Sequence, residues 1–249
     1  MLNDSTTMLY GIISDIHSNL EALDVVLNRL YMVDKLICLG DIVGYGPNPN
    51  ECVQKVREMN IPSVAGNHDK AVTGEMEITW FNYNARSAVE FTQRELKQEN
   101  LTFLEGLAQI REEDDFQYVH GSLRAPLREY ITNIFEAVPS LEKMTKKICF
   151  VGHSHIPMFI GQKEDGNFDG HILMDDEEVV TDEYAKIIIN VGAVGQPRDG
   201  DPRASYGIYD TETKIFTLHR VEYNIEMVQK KMKTAGLPQP LIERLSFGR

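Results

Sequence analysis

Short apolar runs alternate with amphipathic stretches over the first third of the chain. Residues 9–14 are apolar, and a helical period follows over about 19–32. The pair repeats at 35–39 and 48–59, and a third apolar run covers 61–65. Strands alternating with amphipathic helices predict βαβ units and a parallel sheet. Asn19 is placed to cap the first helix, and Asn48-Pro49 reads as a cap followed by proline in the first turn.

Beyond this, residues 81–98 are again helical, with Phe81, Ala85, Ala88, Val89 and Phe91 as the apolar positions, and a further helical turn is expected at 102–106. Strand-like runs then dominate, at 116–119, 147–151, 158–160, 186–191, 205–209 and 215–221. A helix at about 138–145 separates the first two, and another at about 225–234 follows the last. The acidic stretch 165–183 reads as a solvated hairpin or loop. No linker interrupts the pattern. Residues 1–249 therefore read as one domain, with a core at about 9–191 and closing strands and a helix at 204–249.

Composition changes this picture little: 42% hydrophobic and 25% charged residues suit a packed core rather than a disordered chain. No apolar run approaches the ~18 residues of a membrane helix. The first residues lack the shape of a signal peptide, so a cytoplasmic protein is expected. Cys38, Cys52 and Cys149 show no metal-binding spacing and read as buried reduced thiols. The net charge of -13 argues against binding duplex nucleic acid. A phosphate ester is compatible with it, because bound divalent cations reverse the local sign.

The candidate chemistry lies where strands end. Five of the seven histidines, His17, His68, His120, His153 and His155, directly follow apolar runs. Open α/β sheets build their sites at the carboxyl ends of strands. In Asp15-Ile16-His17, residues two apart on an extended segment point the same way, so a carboxylate and an imidazole can meet one metal. Asp41, after Gly40, offers two oxygens that can bridge two cations. Gly66-Asn67-His68-Asp69 presents an amide oxygen beside an imidazole free to face substrate. His120-Gly121 and Gly152-His153-Ser154-His155 complete the series.

Taken together, DxH, GD, GNHD, HG and GHSH resemble the calcineurin-like metallophosphoesterase superfamily over about residues 9–191. The resemblance implies an α/β fold, a four-layer α/β/β/α sandwich with a dinuclear metal site at the strand carboxyl ends. By the family pattern, Asp15, His17 and His155 hold one metal, Asn67, His120 and His153 hold the other, and Asp41 bridges them. His68 contacts phosphate or protonates the leaving oxygen. Oxygen and nitrogen donors without thiolate suit Mn, Fe, Zn, Co or Ni. Two such ions about 3.5–4 Å apart would activate a bridging hydroxide for in-line attack on phosphorus.

One departure bears on substrate. Phosphoprotein phosphatases of this superfamily continue the second motif as GDxxDR, whereas this chain reads Gly40-Asp41-Ile42-Val43-Gly44-Tyr45. The arginine that clamps a phosphate dianion and the aspartate that supports the catalytic histidine are both replaced. Asp69 is the alternative support for His68. A phosphodiester carries one charge and needs less clamping, so phosphodiester or phosphoanhydride substrates are expected. Residues 44–52 and 195–203 resemble a prokaryotic subgroup of phosphodiesterases and dinucleoside polyphosphate hydrolases. Arg124, Arg128, Arg198 and Arg203 are the candidate phosphate contacts, and Arg124 and Arg198 are the preferred ones. Tyr45 and Tyr130 read as ordinary packing residues, with stacking on a base as the alternative. The expected partner is thus a small phosphorylated molecule of nucleotide type. A phosphomonoesterase or protein phosphatase is the alternative, and a non-catalytic scaffold of the same fold is a third. Oligomeric state stays open.

Overall fold

Alternating apolar positions close two mixed sheets over one another in the computed structural model, which describes residues 7–249. The strands are β1 (Leu9–Ile13), β2 (Lys35–Cys38), β3 (Ile110–Glu112), β4 (Phe116–Val119), β5 (Ile148–Val151), β6 (Met158–Gln162), β7 (Phe168–Ile172), β8 (Glu178–Val180), β9 (Lys186–Asn190), β10 (Ala204–Asp210) and β11 (Ile215–Val221). The helices are α1 (Leu20–Arg29), α2 (Pro49–Glu58), α3 (Asn67–Val72), α4 (Tyr83–Glu95), α5 (Gln98–Glu105), α6 (Ile134–Lys143), α7 (Ile225–Thr234) and α8 (Gln239–Arg244).

One sheet has the order β2-β1-β10-β11-β8 and the other β3-β4-β5-β9-β6-β7. The expected parallel pairs are present: β1 with β2, in the register Ile12 to Ile37, and β4 with β5 and β5 with β9. The remaining pairs are antiparallel, so both sheets are mixed.

The inner faces of the sheets meet in a core that includes Ile12, Ile37, Phe116, Phe150, Ile189, Tyr209 and Phe216. Phe116 meets Phe150 edge to face at 5.1 Å and Tyr10 at 4.9 Å, the geometry that aromatic quadrupoles favour. Outside the first sheet, α1 and α2 pack Leu23, Val26, Val53 and Val56. Outside the second, Ala137 and Leu141 of α6 cover Cys149, Val151 and Ile188. The result is the expected α/β/β/α layering. A further group, including Tyr45, Ala88, Val228, Met232 and Leu241, joins α4, α7 and α8 beside the site.

Asn19 caps α1 by accepting from the Ala22 N–H, as its position suggested. Asn48 makes no side-chain cap, although Pro49 does open α2. Residues 61–65 form no ladder, only the isolated bridges Cys38 to Ser63 and Val64 to Ala108. Pro62 has no N–H to continue one. The helix expected at 81–98 runs from Tyr83 to Glu95 and ends where the chain turns extended at Leu96, and the helical turn expected at 102–106 starts earlier, at Gln98. The helix α6 begins one turn early, capped by Asn133, and carries Pro139 inside. The acidic stretch supplies two strands: β7 forms a hairpin with β6, and β8 pairs with β11. All three cysteines are free and buried, as expected. None of the described helices is long and apolar enough to cross a membrane.

Candidate metal centre

Four strands deliver the candidate ligands. Asp15 and His17 follow β1, Asp41 follows β2, His120 follows β4, and His153 and His155 follow β5. Asn67 opens the short helix α3. Five of these residues take a left-handed backbone: Asp15 (φ 53°), His17 (47°), Asp41 (51°), His153 (68°) and His155 (61°). For residues with a Cβ this costs about 1–2 kcal/mol each, and such strain gathers where geometry is imposed by function. The Asp15 and His17 N–H groups donate to the Gly40 and Asp41 carbonyls at 3.0 and 2.9 Å, lacing the first loop to the second. Gly66 lies against Asp41, and any Cβ there would collide with its carboxylate.

The side chains converge in two buried clusters, Asp15-His17-Asp41-His155 and Asp41-His120-His153, with the donor atoms of each within 4.8 Å of one another. Asp41 belongs to both. Its Oδ2 lies 3.6 Å from His17 Nε2 and 3.3 Å from His120 Nε2. Asn67 joins the second cluster, with its Oδ1 at 3.2 Å from His120 Nε2. The structure thus brings together all seven residues named from the sequence.

The proton inventory shows that the clusters fit cations. His17 Nδ1 donates to the Val43 carbonyl at 3.1 Å, His120 Nδ1 to the Leu39 carbonyl at 2.8 Å and His155 Nδ1 to the Gln196 carbonyl at 2.6 Å. A carbonyl only accepts, so in each neutral ring Nε2 carries the lone pair. The Nε2 atoms of His17 and His155 then face each other at 3.1 Å, and His120 Nε2 faces His153 Nδ1 at 3.1 Å. The His17 and His155 lone pairs opposed at that distance need positive charge between them, and the gap between His120 and His153 takes either a proton or a metal ion. Asp15 Oδ1 also lacks a hydrogen-bond donor among the described residues, and lies 3.1 Å from His155 Nε2.

Electrostatics reinforce the arrangement. Burial alone would raise the Asp15 and Asp41 carboxyls, but the surrounding imidazoles outweigh it and hold both below the usual carboxylate range. Burial, aided by the neighbouring histidines, pushes His153 down to about 3. Burial and the Arg198 charge push His155 down to about 4. His120 is the exception: burial opposes its charge, yet the Asp41 carboxylate raises it to about 9.

His68 lies outside the clusters. Its backbone N–H donates to Asp41 Oδ1 at 2.8 Å, while its ring packs against Tyr45 at 4.4 Å and Phe81 at 4.9 Å. Its Nδ1 has no hydrogen-bond partner among the described residues. Burial holds the imidazole well below its ordinary value. Asp69, the alternative support for His68, does not reach that ring. Its Oδ1 accepts from the Val43 N–H at 3.2 Å and its Oδ2 from the Gly66 N–H at 2.9 Å. The catalytic role expected of Asp69 is therefore corrected to bracing the two loops that carry Asp41 and Asn67.

The arginines also separate. Arg124 pairs with Glu129 on the surface and does not line the cavity, because its carboxylate partner lies five residues on. Its expected phosphate contact is thereby corrected. Arg198 and Arg128 do line a cavity of about 330 Å³ that opens onto Asp41, Asn67, His68, His153 and His155. Arg198 reaches it beside Tyr45, with Nη2 at 3.4 Å from the phenol oxygen. Arg203 is held instead by Asp201 and Asp175.

Four side chains take part in ways not read from the sequence. Tyr130 stacks face to face on His153, centroids 4.0 Å apart and planes 14° apart. Asn190, at the end of β9, donates to the Gly152 carbonyl at 2.6 Å and pins the loop of His153 and His155. Trp80 and Phe81 reach the cavity from the turn before α4. An asparagine closing an apolar run was the one available signal; the others depend on tertiary proximity.

Comparison with known proteins agrees with this geometry. Residues 8–214 match the calcineurin-like phosphoesterase superfamily domain. The chain is 40% identical over 253 residues to the uncharacterised protein MJ0912 of Methanocaldococcus jannaschii, covering 97% of this chain and 98% of that one. It is similar to the crystal structure of a metallophosphoesterase from Sphaerobacter thermophilus, with a TM-score of 0.88, 46% identity and coverage of 97% and 99% of the two chains. The crystal structure of the hypothetical protein PH1004 from Pyrococcus horikoshii shares the fold, with a TM-score of 0.80 at 17% identity, over 97% of this chain and 98% of that one. The chain belongs to the calcineurin-like phosphoesterase superfamily, and is a metal-dependent hydrolase of phosphate esters.

Proposed function

We propose that this enzyme hydrolyses phosphodiester or phosphoanhydride bonds of small, nucleotide-type substrates. One observation carries the reading. The residues after Asp41 place Gly44 against the His68 ring and pack Tyr45 on it at a tilt, where the superfamily's protein phosphatases carry Asp-Arg. The cationic side chains lining the cavity come from elsewhere, Arg128 and Arg198. Without the dianion clamp, a singly charged diester or a bridging anhydride is the better fit.

In this reading Asp15, His17 and His155 would hold one metal, Asn67, His120 and His153 would hold the other, and Asp41 would serve both. When bound, the two ions supply positive charge to the phosphoryl oxygens and acidify a water. Arg198 orients a non-reacting phosphate oxygen beside them, since a guanidinium fork matches that geometry. His68 is neutral in the buried site and offers an N–H to the leaving oxygen. Negative charge arriving with substrate raises its proton affinity, so it can load and deliver a proton. Tyr45 and Phe81 shield its ring from water. Three buried free thiols fit the reducing cytoplasm in which we place the protein.

The test is a substrate panel in Mn²⁺: bis-p-nitrophenyl phosphate, p-nitrophenyl phosphate and diadenosine tetraphosphate. The diester and the anhydride should turn over faster than the monoester. Monoester turnover far above both would overturn the reading in favour of a phosphomonoesterase.

A further inference from the structure

Four aromatic rings line the catalytic cavity, and three of them pack on histidines of the site. Tyr45 is buried against His17 and His68. Phe81 meets the His68 ring edge to face at 4.9 Å. Tyr130 spends one face on His153 and is 46% exposed, less than Trp80. Trp80 is different: it lines the same cavity and is 71% exposed. The Arg128 guanidinium sits over its ring, 5.0 Å from the centroid. A cation on one face and high exposure leave the indole's other face open.

Position adds to this. Trp80 ends the short turn Ile78–Trp80 and is the chain neighbour of Phe81, the ring that touches His68. A flat group resting on Trp80 is therefore held by the same turn that walls the candidate proton donor. Arg128, over the indole, supplies positive charge for a phosphate joined to that flat group. A flat ring and an anionic phosphate on one small molecule describe a nucleotide, and the cavity lies in the size range of small-ligand sites. Resting on the function proposed above, we infer that Trp80, with Arg128 behind it, is the seat of the substrate's nucleobase.

Stacking on an exposed indole is tolerant of sequence, because every base has a π-face. The seat thus selects nucleotides over other esters without reading the base edge.

The chain has a single tryptophan, so its emission reports this seat alone. Mn²⁺-loaded full-length protein is titrated with AMP, ribose 5-phosphate and inorganic phosphate. AMP should quench the emission saturably, and the two ligands without a base should leave it unchanged. In calorimetry, Trp80→Leu should weaken AMP binding about tenfold, as loss of one stacked base does, with phosphate affinity and metal content at wild-type values. An exposed side chain is not needed for folding, and a circular dichroism spectrum checks this. An AMP response equalled by ribose 5-phosphate, no AMP response, or unchanged AMP affinity in Trp80→Leu would each overturn the inference. These readouts do not depend on turnover. Quenching without diester or anhydride hydrolysis would sink the proposed reaction and leave the base seat. Hydrolysis without quenching would do the reverse.

Discussion

Gly44 stands directly against the ring of His68: a Cβ at that position would overlap Nδ1 of the imidazole. Its φ of 96° is also closed to most side chains. Glycine here is thus the condition for the His68 and Tyr45 rings to pack at 4.4 Å. Restoring an aspartate, as in the superfamily's protein phosphatases, should fail rather than convert the enzyme. Gly44→Asp is expected to lower diester turnover at least a hundredfold and stability by about 1–3 kcal/mol. Thermal melts and turnover on bis-p-nitrophenyl phosphate check both. A variant that keeps its activity and gains on p-nitrophenyl phosphate would contradict this account of the motif.

His68 meets the metal clusters through its backbone N–H to Asp41 and through an edge-to-face ring contact with His17 at 5.0 Å, and its side chain makes no hydrogen bond to a ligand residue. Removing its side chain should therefore spare the metals. His68→Ala is expected to lose about 10²–10⁴-fold in rate, the usual contribution of a positioned acid. Metal content by elemental analysis should stay at the wild-type level. Unchanged turnover would take His68 out of the mechanism, and parallel loss of metal would recast it as a support of Asp41.

The part of this site that could be read from sequence is the part written locally. Asp15 and His17 share a strand end, as do His153 and His155, and the left-handed turn after each strand does not alter which residues are offered. Asn19 announced α1 because a cap interacts within three residues. Interactions across the fold left no such mark. Tyr130 reaches His153 over 23 positions, and nothing in its neighbourhood signals a stack. Arg124 and Arg198 look equivalent as sequence, yet a glutamate five residues on holds one, while the 195–203 loop carries the other into the cavity. Strand 61–65 misled for a related reason: an apolar run needs N–H groups and a partner to become a ladder, and Pro62 withholds one.

Asp69 provides a third test. Both its oxygens accept backbone N–H groups, from Val43 and Gly66, so it ties the Asp41 loop to the Asn67 loop. Asp69→Ala leaves those two donors unpaired in a buried site, which costs about 1–3 kcal/mol per group. Stability should fall by that order and metal affinity with it, because Asp41 and Asn67 lose their spacing. The pH profile of the remaining activity should keep the wild-type shape. A displaced profile would show that Asp69 titrates with His68 after all.

The last prediction concerns protons released by the metals. In the metal-free protein burial works against charge on His120, but the Asp41 carboxylate wins and raises it to about 9. Its Nδ1–H is committed to the Leu39 carbonyl, so the additional proton sits on Nε2, facing His153 and Asn67. A cation can take that position only by displacing the proton. His153 and His155, at about 3 and 4, are already neutral and release none. Metal loading at pH 7.5 should therefore release about one proton from this set, and calorimetry in buffers of different ionisation heat measures it. The sign for stability follows. A raised histidine stabilises the metal-free fold fully below its unfolded value of 6.5, and that contribution is lost as pH rises through about 9. The metal-loaded fold does not carry the proton and keeps its stability across this window. The difference in melting temperature between loaded and chelator-stripped protein should widen between about pH 6.5 and 9. A difference that is flat or narrows over that range, or loading without proton release, would show that His120 is not the residue that exchanges a proton for the metal.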